Sequence, residues 1–251
     1  MKKGFEKLSQ CSLCQSKKIE FSFKYDEEIN GVKESFSVCK CRSCGLYLVN
    51  PRPDKSRIMK YYPNDYFAYK IDYDKKSMRS RIGILLYKKL FSNKFSIWGL
   101  LFLPIKKFMR GIVIKKNGKV LDVGTGAGGW LLVLKGLGME GYGLDPSKEA
   151  VKVAKKAGLK VKEGTLGSVR YPNNFFDVIT LHNVIEHVHD PVKDLIELRR
   201  ILKPGGILIM YTPNTDSLFF KLLREDWPHL GVPQHLNLFS NKTLNRLSRK
   251  V

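Results

Sequence analysis

The chain has 251 residues, with 45 Lys+Arg against 23 Asp+Glu and a formal net charge of +22. That length holds one α/β domain with a small appendage and excludes a second large domain. The charge suits anionic partners, whether nucleic acid, an anionic membrane surface or a phosphorylated substrate; a lysine-rich solubilising surface is the plain alternative. Met1-Lys-Lys-Gly-Phe-Glu-Lys7 lacks the apolar stretch of a secretory signal, so a cytoplasmic, reducing setting is expected and the five cysteines are not read as disulfides.

Residues 1–53 carry Cys11-Ser-Leu-Cys14 and Cys41-Arg-Ser-Cys44, two C-x-x-C pairs on either side of a strand-like stretch, with Gly45 after the second. This is the spacing of a zinc ribbon. Two thiolates on each turn give four soft ligands to one tetrahedral ion, and so small a unit needs the metal in order to fold. Four thiolates leave no open position, so the ion is structural rather than catalytic. Cys39 competes with Cys41 for the third place, although a packed free thiol suits its longer spacing to Cys44. Free or redox cysteines are the other reading.

Residues 54–114 read as a connector. Tyr61-Tyr-Pro-Asn-Asp-Tyr-Phe-Ala-Tyr69 is either an aromatic lid over a substrate or ordinary packing, and packing is favoured. Within 81–114, two apolar runs are interrupted by Lys88, Lys89 and Lys94, whereas a bilayer span needs about 20 uninterrupted apolar residues. The runs suit helices packed on the main domain, or a basic amphipathic element resting on the inner face of an anionic membrane.

Residues 115–251 alternate strand and helix, as a doubly wound, mostly parallel α/β sheet requires. Val120, Leu121 and Val123 predict a buried strand, Gly124, Gly126, Gly128 and Gly129 a tight turn, and Trp130–Lys135 the helix that leaves it. The glycines alone would also fit the G-x-G-x-x-G of a dinucleotide-binding turn. Asp122 argues otherwise: a pyrophosphate there would meet a negative charge, and a cationic amino-acid ligand would meet a partner. Asp145 ends the second strand, Glu140–Asp145, where a carboxylate takes both ribose hydroxyls. Further strands are expected at Leu159–Glu163, Phe175–Leu181 and Ile207–Tyr211, and further helices at Lys148–Ala157 and Asp190–Arg200, with Asp190 as a cap and Lys203-Pro-Gly-Gly206 as a turn. Phe239-Ser240 is expected to open one more helix.

With Asp145-Pro-Ser147, Phe176-Asp-Val-Ile-Thr180, Glu186-His-Val188 and Leu202-Lys-Pro-Gly-Gly206, the chain resembles class I S-adenosylmethionine-dependent methyltransferases over about residues 119–240. The resemblance implies a Rossmann-like fold, S-adenosyl-L-methionine as cofactor, and a cofactor site at Asp122, Gly124, Thr125, Gly126, Gly128, Asp145, Pro146, Leu166, His182 and Asn183. Relatives with an N-terminal cysteine module include sugar methyltransferases, so the acceptor implied is a small molecule: a sugar, quinone or lipid-like hydroxyl or carbon. His187 is the candidate base, since His has an ordinary pKa of about 6.5 and relatives that methylate sugars place a histidine at this point after an Asn-Val pair, here Asn183-Val184. His182 and His235 are weaker candidates. Two departures stand out. Gly164-Thr165-Leu166 replaces the acid that usually reads the adenine amine, and only five of the family's seven strands are expected before Val251, so the sheet reads as C-terminally shortened with an edge open to a homodimer. An RNA methyltransferase with a zinc ribbon and a cofactor-binding protein without turnover are the competing readings.

Overall fold

The computed structural model describes residues 3–29, 32–62 and 118–250. The tyrosine-rich stretch beyond Tyr62 and the apolar runs of 81–114 lie outside the described residues. In chain order the strands and helices are β1 (Phe5–Glu6), β2 (Ile19–Ile29), β3 (Val32–Cys41), β4 (Tyr47–Val49), β5 (Arg52–Pro53), β6 (Lys119–Val123), α1 (Gly129–Gly136), β7 (Glu140–Asp145), α2 (Lys148–Lys156), β8 (Lys160–Glu163), β9 (Phe176–His182), α3 (Pro191–Ile201), β10 (Leu202–Tyr211), α4 (Leu218–Leu223), β11 (Asn237–Leu238) and α5 (Asn241–Ser248). Among the described residues, no helix is long and apolar enough to cross a membrane.

The elements pack into two compact units. One comprises residues 118–181 and 200–209 of those described. Its sheet has the order β10-β9-β6-β7-β8, and the β6–β7, β6–β9 and β7–β8 ladders are all parallel. This is the expected Rossmann-like α/β sheet. A parallel sheet buried on both faces demands apolar strands, and Val120, Leu121, Ile179 and Leu181 are fully buried. Leu131 and Leu134 from α1, Val151 and Ala154 from α2, and Met139, Leu159, Val161 and Val178 complete one core cluster with Val120. Each such aliphatic side chain contributes about 1.5–3 kcal/mol when fully buried. The start of α2 is set by Ser147, whose hydroxyl accepts from Ala150 N, while Glu149 in the first turn and Lys155 and Lys156 in the last complement the helix dipole.

The boundaries differ from the sequence reading at one place of consequence. β10 begins at Leu202 rather than Ile207, so Lys203-Pro-Gly-Gly206 lies in the strand and not in a turn before it. Lys203 Nζ is 2.9 Å from Asp177 Oδ2, and that carboxylate oxygen also accepts from Lys119 N at 3.0 Å. Charge pairing thus ties the start of β10 to β9 and β6, which proline and glycine propensities do not reveal.

The other unit comprises residues 3–62, 182–199 and 210–250 of those described. Its four-stranded sheet has the order β11-β4-β3-β2, with antiparallel pairing throughout, and β1 pairs with β5 beside it. The cysteine segment is therefore not a free-standing ribbon, because Asn237 and Leu238 supply its fourth strand. One aromatic-rich core unites Phe5, Phe36, Val38, Tyr47, Val49 and Tyr61 with Phe220, Trp227, Leu230, Val232 and Leu238. Tyr47 and Phe220 meet edge to face at 5.2 Å, as do Phe220 and Trp227 at 5.1 Å. Ser240 caps α5 in a capping box with Thr243, and Asp190 Oδ1 accepts from Lys193 N at the start of α3, both as the sequence predicts.

Candidate functional site

The turn between β6 and α1 is held from below by Leu144 O, which accepts from Gly124 N at 2.8 Å and Thr125 N at 3.2 Å. Gly128 adopts φ +86°, and a Cβ there would stand 2.4 Å from Leu159 Cδ1. Only glycine fits both the left-handed backbone and the contact. The two acids flank this turn. Asp122 is buried and its Oδ1 accepts from Thr180 Oγ1 at 2.7 Å. Asp145 is buried too; Oδ2 accepts from Gly126 N at 2.7 Å and Oδ1 from Ser147 N at 2.9 Å.

Burial pushes the Asp122 carboxyl up to about 6 against the hydrogen bond from Thr180, with the Asp145 charge adding to the rise. Burial also raises Asp145, opposed by the Ser147 and Gly126 amides. Two desolvated carboxylates beside a glycine turn make a local excess of negative charge that a cation relieves. Each Asp145 oxygen has one lone pair engaged by an amide and another open to a hydroxyl donor. These residues fit a cationic nucleoside. Thr125 and Leu166 are buried in the same unit, while Pro146 is exposed. His182 and Asn183, which the sequence reading adds to this set, belong to the other unit. The His182 ring packs 5.2 Å from that of Tyr211, and Asn183, at φ +52°, donates its N–H to Tyr211 O at 2.8 Å.

Glu186, His187 and His235 form a second grouping, wholly within the other unit. His187 Nδ1 lies 3.0 Å from Gln234 O and 2.9 Å from the Tyr62 hydroxyl. A carbonyl can only accept, so Nδ1 carries the ring hydrogen and Nε2 keeps the lone pair. Burial pushes His187 down to about 4, against the Gln234 and Asn183 carbonyls, so the ring is neutral and a weaker base than its ordinary value implies. Burial likewise pushes His235 down to about 3 and Glu186 up to about 7. The sequence named these side chains one by one. Their meeting, and the part of Tyr62, depend on contacts as far as 125 positions apart and leave no local signal.

A third grouping is the cysteine cluster. Sγ atoms of Cys11, Cys14, Cys41 and Cys44 all lie within 4.8 Å of one another, with Cys11–Cys44 at 3.7 Å and Cys14–Cys41 at 3.5 Å. Cys39 is outside the set, its thiol facing Asn50 O at 3.7 Å. The cluster therefore draws on Cys41. The hydrogen bond from Cys44 pushes Cys11 down to about 5, so at least one thiol of the four is poised to be a thiolate, the form that binds metal.

A glycine turn between two buried acids on a parallel sheet is the arrangement of proteins that hold a nucleoside-bearing methyl donor, and the chain belongs to the methyltransferase domain family, whose model matches residues 100–251. Among curated relatives, the demethylmenaquinone methyltransferase of Geobacillus stearothermophilus is 35% identical over 124 residues, which cover 45% of this chain and 53% of that protein. An uncharacterized methyltransferase of Schizosaccharomyces pombe is 34% identical over 109 residues, 37% of this chain and 39% of that protein. The chain spans about half the length of the curated relatives it matches. Of solved structures, a SAM-dependent methyltransferase from Thermotoga maritima aligns with a TM-score of 0.48 at 26% identity, covering 59% of this chain and 69% of that one.

Proposed function

We propose that the protein is an S-adenosylmethionine-dependent methyltransferase that acts on a small-molecule acceptor, a sugar, quinone or lipid-like compound, at oxygen or carbon. The observation that carries the reading is the pair of buried carboxylates, Asp122 and Asp145, on either side of the glycine turn. Asp122 would take the ammonium end of the donor and Asp145 its ribose hydroxyls, with Leu166 against the base. When bound, the donor supplies an electrophilic methyl, so the protein's task is mainly to hold and align an acceptor. We assign His187 to the acceptor's side through the lone pair on Nε2, whose direction Gln234 fixes. The demethylmenaquinone methyltransferases among the relatives support a quinone within the acceptor class. The four cysteines are assigned one structural zinc ion, for which their sulfur spacing and tetrahedral ligand count are suited.

Calorimetry with S-adenosylmethionine, followed by transfer of a labelled methyl group to extracts of small metabolites, tests the reading. Binding, and label in an organic-soluble or sugar fraction that His187→Ala removes without loss of donor binding, is the expected result; no affinity for the donor defeats it. The charge of +22 favours RNA as the second acceptor class. Label in RNA, with binding that falls steeply as salt rises, would select that alternative.

A further inference from the structure

We propose that Glu186, His187 and His235 form a binding site for one divalent transition-metal cation, distinct from the cysteine cluster. One ligand atom from each residue lies within 4.8 Å of the others, and His235 Nε2 is 4.0 Å from Glu186 Oε1. Two ligands each about 2.1 Å from a tetrahedral ion are about 3.4 Å apart, so side-chain movements of well under a bond length each close the set around an ion.

Three features mark the site as built rather than incidental. First, Glu186 is 1% exposed, and neither carboxylate oxygen has a hydrogen-bond partner among the described residues. Thr212 Oγ1 is likewise buried without a hydrogen-bond partner, though its hydroxyl eases the Glu186 charge a little. A buried carboxylate without donors is a costly arrangement, and an ion is the compensation that the neighbouring imidazoles also accept. Second, one of the three ligands is oriented from behind. His187 Nδ1 donates to Gln234 O, which orients Nε2, as metal-binding histidines are held by a backbone carbonyl on the far nitrogen. Third, the backbone locks the two chain segments together: Leu236 N and Asn237 N both donate to Glu186 O, at 2.8 and 3.0 Å. The His235 ring then lies directly on Gly231, where a Cβ would come within 2.5 Å of Cε1 and Nδ1. The seat for this ring exists only because residue 231 is glycine.

Two imidazoles and one carboxylate suit manganese, iron(II), cobalt, nickel or zinc better than calcium or magnesium. Three protein ligands leave open positions, unlike the closed four-thiolate cluster. With an ion bound, the Nε2 lone pair of His187 serves the ion instead of a proton.

The test uses the full chain loaded with a single equivalent of zinc, which the four thiolates take first, then titrated with Mn2+ alone and followed by electron paramagnetic resonance of free Mn2+. Thiolates take manganese poorly, so the probe reports on the nitrogen–oxygen site. One Mn2+ per chain at micromolar affinity is expected, weakened in Glu186→Gln and in His235→Gln by more than the roughly tenfold to hundredfold that loss of an outer partner costs. Thermal unfolding and S-adenosylmethionine calorimetry on the same samples show that each variant is folded, and they score the methyltransferase reading separately. No binding below millimolar Mn2+, or binding unchanged in both folded variants, overturns the proposal.

Discussion

Replacing Asp122 by asparagine tests the central electrostatic argument. The buried carboxyl is raised from an ordinary 3.8 to about 6. A gap of about 2 pH units corresponds to about 3 kcal/mol. The folded state holds this proton more tightly, so the group's contribution is fully present below about pH 4 and is lost as pH rises through about 6; at pH 7.5 the ionised carboxylate opposes folding. Asparagine keeps an oxygen to accept from Thr180 Oγ1, and its new N–H2 costs about 1–3 kcal/mol if it finds no partner. That cost is independent of pH. The difference in unfolding free energy between the Asp122→Asn variant and its parent, measured in urea at pH 4, 5, 6 and 7.5, therefore shifts by about 2.5 kcal/mol in the variant's favour across the series. The variant also binds S-adenosylmethionine at least tenfold more weakly at pH 7.5, by calorimetry. A flat difference across pH would show that Asp122 is not desolvated as described, and the reasoning about a cation-seeking turn would fail with it.

The affinity of the parent protein for S-adenosylmethionine should fall below about pH 6, approaching tenfold per unit as Asp122 takes up its proton; equal affinities at pH 7.5 and pH 5 would remove Asp122 from the ligand site. Gly128→Ala places a Cβ against Leu159 in a left-handed backbone and should lower stability by about 1–3 kcal/mol, read as a drop in melting temperature, with donor binding weakened as well. Metal analysis of the purified protein should find zinc bound to the cysteine cluster, and chelation under denaturant should unfold the cysteine sheet and the core it shares with Phe220 and Trp227 first, seen as early loss of hydrogen-exchange protection in β2 and β3; protection that survives metal removal would refute a structural role.

Much of the parallel sheet was legible because its strands are local statements. Val120-Leu121 and Val178-Ile179 are apolar on both faces, and Asp190 and Ser240 announce their helices through capping chemistry that operates within three residues. The positions of the two acids follow from the same strands, Asp122 next to last in β6 and Asp145 last in β7. Gly128 was readable as part of a turn, but its tight fit against Leu159 was not. The opening of β10 was missed because proline and glycine speak for a turn while the Lys203–Asp177 ion pair, 26 positions apart, speaks for the sheet. The membership of β11 in the cysteine sheet, and the convergence of Tyr62, Glu186, His187 and His235, rest on long-range packing. Spacing along one sequence carries no record of it.

The sheet order β11-β4-β3-β2 has a consequence for how the protein is made. As the chain leaves the ribosome, β2, β3 and β4 appear early, but the strand that covers β4 arrives only with Asn237 and Leu238, and the aromatic half of the core supplied by Phe220 and Trp227 shortly before it. Until then β4 presents a bare backbone edge and Tyr47 a bare ring. Metal capture by the cysteines would steady that nascent hairpin through the long wait, so zinc starvation during synthesis should trap aggregates that the mature protein, once assembled, no longer forms.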